Sequence, residues 1–312
     1  MSIQRVSSKW AKTTVLQHSL QVSEYIPVTR KYSRQTLERM IELFPANYIK
    51  PDRGTYGNGV MRVKTTRTKL SIPSSEKSSS GDENSSESNE SESTHPAPVE
   101  ITTYHLQHGT EEQVFHSLDE LEHALDQRIQ KRSYIIQQGI PLMRHKGLPF
   151  DLRVLTQKNL QHKWETTGIL GRVAAPGKII TNIHGGGRLA TFEELVLPHL
   201  KKERYKKLEQ ELYSLGIHTA VQLQRTFPRL KEIGLDIALD EDGRPWILEV
   251  NTLPGIYAFG HLDKKGYRKI KRYAIAYGRL PSPKTQKSKI KKTASKVQAT
   301  ATKRRTAKPI NK

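Results

Sequence analysis

Two carboxylates and one amide near the C-terminal part of the sequence could hold a metal ion together. Glu249 and Asn251 lie two positions apart in an apolar run, so a strand would place both side chains on one face, about 7 Å apart along the backbone. Asp236 lies in a second apolar run, between two core-facing positions, and a short turn joins the runs. Such oxygen ligands suit Mg²⁺. The alternative is three solvated polar residues on an exposed sheet face.

A glycine-rich loop after a predicted strand could bind a phosphate group. Lys50 ends the strand, and Gly54, Gly57 and Gly59 follow it. Glycines let the backbone approach a phosphate and present its N–H groups, while the lysine adds a positive charge. The pattern is not a Walker A loop, because the lysine precedes the glycines and a strand follows them. The alternative is an ordinary turn between two strands.

Two arginines in the middle of the sequence could bind an anion. Asp151 and Arg153 share one face of a predicted strand, and Arg172 lies in the next predicted strand. A guanidinium group matches a phosphate or a carboxylate with two parallel hydrogen bonds. The alternative is a cross-strand ion pair with Asp151, which would occupy the same guanidinium group.

The elements that must position these residues form an α+β order without internal repeats. Candidate helix N-caps are Ser8, Ser33, Ser117 and Thr191. The last of these precedes a helical region predicted for residues 192–231, with a break near Gly216. Strands are predicted at residues 47–50, 60–65, 134–138, 150–156, 164–173, 178–182, 235–239 and 246–250.

Composition excludes several kinds of chemistry. The sequence has no cysteine, which excludes disulfides, a thiolate nucleophile and cysteine-ligated metals, and a reducing cytoplasm is the simplest location. The first residues are polar and basic and lead into no long apolar stretch, so we expect no signal peptide, no membrane span and a soluble protein. Hydrophobic residues make up 35% of the chain, which suffices for a core in part of its length.

Two segments have a composition that opposes folding. Residues 71–100 are rich in Ser, Glu, Asn and Pro, and we predict a disordered acidic insert there. The formal net charge is +21, and Pro281–Lys312 contains 11 Lys and Arg and no acid. We predict a disordered basic tail, which either binds a polyanion such as nucleic acid or keeps the protein soluble.

Taken in order, these motifs resemble the ATP-grasp superfamily and, within it, the YheC/YheD family of spore-forming bacilli. The resemblance covers about residues 8–277 apart from the acidic insert, and its middle is also similar to the ligases that add glutamate to a ribosomal protein. The order of the motifs is specific, although no single motif is. They are the Lys50-Pro51 loop, Gln137-Gln138-Gly139-Ile140, Asp151-Leu152-Arg153, Arg172-Val173-Ala174, Thr181–Gly187 and Leu248–Gly255.

The resemblance implies an ATP-grasp fold in which two α+β subdomains grip ATP. It also implies a ligase that activates a carboxylate as an acyl phosphate for attack by an amine or a thiol. Mg²⁺, with Mn²⁺ as a substitute, would bind Asp236, Glu249 and Asn251. Arg172 matches a residue near the transferred phosphate, and Arg153 is a second candidate for that role. The nucleotide would contact Lys9, Lys50, Gly54, Gly57, Gly59, Gln137, Gln138, Ile140 and Asn182.

The expected organisation departs from the family in its N-terminal part. We expect a helical segment at residues 1–45, a small subdomain at 46–138 with the insert, a large subdomain at 139–280 with the metal site, and the tail at 281–312. Family members carry a preceding α/β domain, whereas fewer than 50 residues precede Lys50 here, so we expect that domain to be reduced or absent.

That departure leaves two functions open. The first is a ligase with an unidentified carboxylate and amine, whose acceptor pocket could be shared with another chain in an oligomer. The second is a nucleotide-binding scaffold without ligase activity, associated with the spore coat or with polyanions through its tail.

Overall fold

The computed structural model describes residues 2–54, 57–70, 99–178, 181 and 186–282, which form two compact units. Unit 1 contains the described residues up to 27, those of 141–176 and those from 181 onward; unit 2 contains those of 28–140 together with 177–178. The helical segment predicted for residues 1–45 is therefore divided between the units. The predicted acidic insert lies outside the described residues up to position 98, and the predicted basic tail does so from position 283.

Unit 2 is one antiparallel sheet with two helices. Its strands follow the spatial order β1-β6-β2-β3-β4-β5, and every neighbouring pair is antiparallel. Its elements are β1 Thr29–Lys31, α2 Arg34–Leu43, β2 Ala46–Pro51, β3 Met61–Leu70, β4 Val99–His108, β5 Glu111–Phe115, α3 Leu118–Ile129 and β6 Tyr134–Gln138.

The helices of unit 2 begin at the predicted caps. The Ser33 hydroxyl accepts a hydrogen bond from the Thr36 amide at 3.2 Å, and the Ser117 hydroxyl accepts one from Glu120 at 3.2 Å. Each hydroxyl satisfies a backbone donor that the first helical turn leaves unpaired. Apolar residues at helical spacing on α2 and α3 then pack on the sheet in one core, which includes Leu37, Met40, Ile41, Leu121, Leu125 and Ile129.

Unit 1 is a second antiparallel sheet, with strands in the order β10-β9-β8-β11-β12 and β7 paired to β8. Ser8 caps its first helix, and its hydroxyl accepts a hydrogen bond from Ala11 at 3.0 Å. The elements are α1 Lys9–Gln17, a 3₁₀ turn Ser23–Tyr25, β7 Arg144–His145, β8 Leu148–Lys158, β9 Trp164–Val173, β10 Arg188–Ala190, α4 Phe192–Val196, α5 Lys202–Thr226, β11 Glu232–Leu239, β12 Pro245–Asn251, α6 Phe259–Leu262 and α7 Lys264–Ala276.

Helices cover both faces of this sheet. The larger core joins α1, α4 and α5 to inward-facing strand residues such as Val154 and Leu235. A smaller core joins α6 and α7 to Leu155 and Leu170 on the opposite face. Burial on both faces explains why β8 and β11 are apolar along most of their length. Among the described residues, none of the helices combines the length and the apolar character needed to cross a bilayer.

The long helical region differs from its prediction. It is interrupted at residues 197–201, which include Pro198, and it runs unbroken through Gly216 to its end at Thr226. Proline cannot continue the preceding helix because its ring clashes with the turn before it. Gly216 instead permits close packing, because a Cβ built there would lie 2.4 Å from the Thr156 hydroxyl. The predicted strand at 178–182 lies mostly outside the described residues.

Candidate functional site

Four residues form a straight row across one face of the unit 1 sheet. Leu170 of β9 is the Cα partner of Arg153 on β8, Arg153 that of Asp236 on β11, and Asp236 that of Glu249 on β12. Directly opposed residues in antiparallel strands project to the same face. We call Arg153, Asp236 and Glu249 the charged row. Because Leu170 belongs to the smaller core beneath α6 and α7, the charged row lies on the same face of the sheet as that core.

Arginines surround Asp236. Arg153 Nε donates to Asp236 Oδ1 at 2.5 Å, and Arg172 Nη2 lies 3.1 Å from the same oxygen. Arg172 also binds Asp151, with Nε donating to Oδ1 at 2.8 Å and Nη2 donating to Oδ2. The cross-strand ion pair with Asp151 is thus formed by Arg172, and anion binding by Arg153 and Arg172 stays a prediction.

Oppositely charged neighbours shift the pKa of both Asp236 and Arg172. Burial by itself would raise the pKa of Asp236, but Arg153 and Arg172 outweigh it and hold that pKa below its ordinary value. Burial would likewise lower the pKa of Arg172, but Asp151 and Asp236 outweigh it and raise that pKa. Asp236 and Arg172 are therefore charged at neutral pH.

The predicted metal ligands lie together at the β12 end of the charged row. Asn251 Nδ2 donates to Asp236 Oδ2 at 3.2 Å, which leaves its amide oxygen as an acceptor. Within the described residues no group of three or more His, Asp or Glu is arranged to hold a metal, and the amide oxygen of Asn251 is the third candidate ligand beside the two carboxylates. Two carboxylates and an amide on neighbouring strands fit Mg²⁺, which uses few protein ligands and completes its shell with phosphate and water.

Lys9 lies beside one of these ligands. Its Nζ is 3.6 Å from Glu249 Oε1, and its side chain is 9% exposed against 26% for that of Glu249. Lys9 belongs to unit 1, whereas the other predicted phosphate lysine, Lys50, belongs to unit 2. The structure therefore groups Lys9 with the candidate metal ligands, an association that its position in the sequence does not reveal.

The backbone that follows Asn251 is held by both ends of the described chain. Val6 N donates to Thr252 Oγ1 at 2.8 Å, and Arg5 donates to the Thr252 carbonyl. From the other end, Arg279 Nη2 donates to the Pro254 carbonyl at 3.3 Å. The segment that carries Asn251 into the loop is thus fixed by residues distant from it in sequence.

One fully buried carboxylate joins these two ends. Glu232 Oε1 lies 2.9 Å from Arg5 Nη1 and 3.0 Å from Arg279 Nη1, and its Oε2 accepts a hydrogen bond from the Tyr277 hydroxyl at 2.8 Å. Burial and the charge of Glu232 raise the pKa of Tyr277, so this phenol stays protonated and donates. We call Arg5, Glu232, Tyr277 and Arg279 the terminal clasp. Sequence reasoning missed it, because these residues share no local pattern.

In unit 2, Lys50 and Gln137 are neighbours on paired strands. Lys50 Nζ donates to Gln137 Oε1 at 2.5 Å and lies 5.5 Å from the centre of the Tyr48 ring. Gln137 Nε2 in turn donates to Thr29 Oγ1 at 3.1 Å, and Gln137 is 3% exposed. A buried glutamine bonded to two side chains fixes the direction in which Lys50 extends.

The three glycines of the predicted phosphate loop have backbone conformations that other residues rarely adopt. Their φ angles are 155° at Gly54, 72° at Gly57 and 75° at Gly59. A Cβ at Gly59 would also lie 2.9 Å from the Tyr134 hydroxyl. The loop therefore requires glycine for its shape, whether or not a phosphate binds to it.

The remaining predicted nucleotide contacts are partly described. Gln138 Oε1 accepts a hydrogen bond from the Val28 amide at 3.2 Å, which places this side chain on the backbone near β1. Ile140 is 9% exposed. Asn182 lies outside the described residues, as do most of the residues of its motif.

Comparison with known proteins gives a family match over most of the chain. A family model described as YheC/D-like ATP-grasp matches residues 3–280. The endospore coat-associated protein YheC of Bacillus subtilis (strain 168) is 24% identical over 248 residues, covering 79% of this chain and 60% of that protein. YheD of the same strain is 23% identical over 263 residues, covering 81% and 49%. The chain thus spans about half to three fifths of the length of these curated relatives.

Two solved structures are similar more distantly. D-cycloserine synthetase DcsG has a TM-score of 0.47 and 9% identity, with 86% of this chain and 69% of that chain covered. The ADP complex of purK, an N5-carboxyaminoimidazole ribonucleotide synthetase, has a TM-score of 0.44 and 11% identity, with 89% and 52% covered.

Proposed function

The chain belongs to the YheC/D-like ATP-grasp family, and from that premise we propose that it is an ATP- and Mg²⁺-dependent ligase that joins a carboxylate to an amine through an acyl phosphate. The observation that supports this most is the charged row with Arg172 beside it. Together with Asn251, it concentrates two guanidinium groups, two carboxylates and an amide on one face of the unit 1 sheet. Phosphoryl transfer requires such positioned charge and no protein nucleophile.

In the proposed reaction an oxygen of the substrate carboxylate attacks the γ-phosphorus of ATP, and the bond to the β-phosphate oxygen breaks to release ADP. The amine then attacks the acyl carbon, a C–N bond forms, phosphate leaves and the nitrogen loses a proton. Arg172 and Arg153 stabilise negative charge on the transferred group, since guanidinium groups bind phosphate oxygens in pairs.

Asp236, Glu249 and Asn251 would hold the metal, which when bound neutralises phosphate charge and orients the transferred group. Of the two carboxylates, Glu249 is the more available ligand, because its one described ionic contact is the 3.6 Å approach of Lys9, whereas two arginines bind Asp236. In unit 2, Lys50 and the loop of Gly54, Gly57 and Gly59 would contact nucleotide phosphates, with Gln137, Gln138 and Ile140 near the base. Lys9 would contribute a further positive charge in unit 1.

Glu249→Gln tests this function and should leave the fold intact, because Glu249 lies outside the hydrophobic cores. ATP turnover, measured as ADP release with a panel of carboxylates and as acyl phosphate trapped by hydroxylamine, should fall by about 100-fold or more. Binding of Mn²⁺, measured by electron paramagnetic resonance, should weaken in parallel. The control is Glu241→Gln, an exposed carboxylate in the turn of the same hairpin. Full turnover in Glu249→Gln would show that the metal assignment is wrong.

A second candidate is a nucleotide-binding scaffold without ligase activity, associated with the spore coat. The observation that favours it is that both arginines already bind carboxylates, in a network whose charges largely balance. Two relatives are described as endospore coat-associated, which supports that location for this chain. ATP binding by calorimetry with no ADP release on addition of any carboxylate would favour the scaffold over the ligase.

A further inference from the structure

The helix α7 carries a dense set of positive charges on a folded surface. Six of its 13 residues are Lys or Arg, and none is Asp or Glu. Ile270 and Ala274 are buried against the sheet, and the helical period places the exposed side chains on the opposite side. The exposed cations of α7 other than Lys269, which we call the α7 basic face, are Lys264, Lys265, Arg268, Lys271 and Arg272.

Acidic neighbours do not neutralise this face. In the described part of the chain, Lys269 is the α7 cation that forms an ion pair, and its partner Glu165 also accepts a hydrogen bond from Tyr273 at 2.9 Å. Asp263 caps the helix and accepts from the Gly266 amide at 2.9 Å. Neither carboxylate forms an ion pair with the α7 basic face, so its charge is available to a partner.

The cations follow one another along the helix, and three of them border a common hollow. Arg268, Lys271 and Arg272 border, with Ile275, an open depression of about 340 Å³. From Lys264 to Arg272 the helix rises about 12 Å, so roughly one or two cations occur per turn. A linear partner with regularly repeated negative charges would meet them in succession.

We propose that the α7 basic face binds the phosphate backbone of a nucleic acid. An acidic protein partner fits less well, because protein interfaces have an apolar core. Of the four residues that line this hollow, only Ile275 is apolar. Nucleic-acid interfaces are far more positively charged. The sequence after α7 continues the same bias, with no Asp or Glu from Lys264 to Lys312. The proposal is independent of the ligase reaction.

The test measures binding of the full-length chain to a fluorescent single-stranded oligonucleotide of about 16 nucleotides by anisotropy, across a salt series. One variant carries Arg268→Glu, Lys271→Glu and Arg272→Glu. The control carries Lys202→Glu, Lys206→Glu and Lys207→Glu, three exposed cations of α5, and so changes the net charge equally. The α7 variant should bind at least tenfold more weakly, with a salt slope smaller by about 2, while the α5 variant stays near the parent.

Each other outcome overturns the proposal. An equal loss in both variants would mean that net charge alone drives binding, and an unchanged α7 variant would place the contact elsewhere. If the parent protein does not bind the oligonucleotide at low salt, the protein has no nucleic-acid-binding activity of the proposed kind. Competition by polyglutamate as effective as that by the oligonucleotide, at equal charge, would assign the face to an acidic protein. Circular dichroism and ATP titration of both variants verify that each is folded.

Discussion

Asp236 couples the charged row to pH. Its pKa in the folded protein lies below the ordinary value of 3.8, because two arginines outweigh the effect of burial. The unfolded chain therefore takes up the proton first as pH falls. The stabilisation from ionised Asp236 is complete above that ordinary value and is lost as pH drops toward the lower folded pKa.

Asp236→Asn should consequently lower the melting temperature at neutral pH, and the deficit should shrink below about pH 4. Thermal melts of parent and variant across pH measure this directly. Asp242→Asn, at an exposed position of the same hairpin's turn, is the control and should parallel the parent at every pH. A deficit of Asp236→Asn that is constant with pH would contradict the role of its charge.

Substitutions at Gly59 and Gly109 distinguish the cost of backbone strain from the cost of a steric clash. Both have positive φ, 75° and 64°, but an added Cβ meets the Tyr134 hydroxyl at 2.9 Å only at Gly59, with nothing within 4 Å at Gly109. Gly109→Ala should cost about 1–2 kcal/mol of unfolding free energy. Gly59→Ala should cost about 1–3 kcal/mol more and also weaken ATP binding. Denaturant melts measure the two losses of stability, and calorimetry measures ATP binding. Equal effects of Gly59→Ala and Gly109→Ala would contradict a steric conflict at Gly59.

Among elements, the terminal clasp should matter more than a surface pair of similar composition. Glu232→Gln leaves Arg5 and Arg279 without their shared carboxylate in a buried setting, and should cost about 3–5 kcal/mol. It should also weaken Mn²⁺ binding, because the clasp fixes the segment after Asn251.

The matched control is Glu165→Gln. Glu165 also contacts a cation and a tyrosine of the C-terminal helix, but its side chain is 29% exposed and that of Lys269 is 48% exposed. An exposed pair of this kind contributes less than about 1 kcal/mol. Denaturant melts of both variants decide the matter, and similar losses would mean that the clasp has no special role.

Many elements could be predicted from local pattern alone. Ser8, Ser33 and Ser117 mark helix starts because their hydroxyls satisfy backbone donors nearby, and strand β6 matches its predicted range. The short strands β1 and β10 could not be predicted, since three residues carry no measurable alternation. The helix break predicted near Gly216 was wrong, because the sequence does not distinguish a glycine that permits close packing from one that ends a helix.

The candidate site was predictable to the extent that strand alternation determines it. Asp236, Glu249 and Asn251 meet as the hairpin requires, and Arg153 joins them through its register on the neighbouring strand. The contact of Lys9 with Glu249 depends on how α1 packs against β12, which no local pattern encodes. The pairing of Arg172 with Asp151 remained one of two alternatives, because spacing alone does not set side-chain conformation.

The sequence after Leu280 should be dispensable for the fold of the described residues. Deleting Pro281–Lys312 should leave folding and ATP binding unchanged, because Arg279 of the clasp and partly buried Leu280 are retained. Oligonucleotide binding should fall in proportion to the lost charge and should keep a remainder that depends on α7. Loss of ATP binding on truncation would show that the deleted residues belong to the catalytic part.

Net charge alone gave an incomplete picture at this scale. The tail accounts for 11 of the Lys and Arg residues, which is about half of the net charge of +21, and the rest of the excess lies in the preceding residues. The α7 basic face is hidden in the sequence by its mixture with Ile, Ala and Tyr, which reads as a helix packed on a core. The structure separates the two sides of this helix.

The contacts of Arg5 and Val6 with Thr252 also constrain the order in which the newly made chain can fold. Every described strand of unit 2 has been synthesised once Gln138 is added, whereas the unit 1 sheet lacks β11, which pairs with both β8 and β12, until Leu239. The N-terminal residues Arg5 and Val6 must wait longer, because their partner is Thr252. At usual rates of translation this delay is on the order of 10 s. Unit 2 can thus fold on the ribosome while Arg5 and Val6 still lack the partner that holds them.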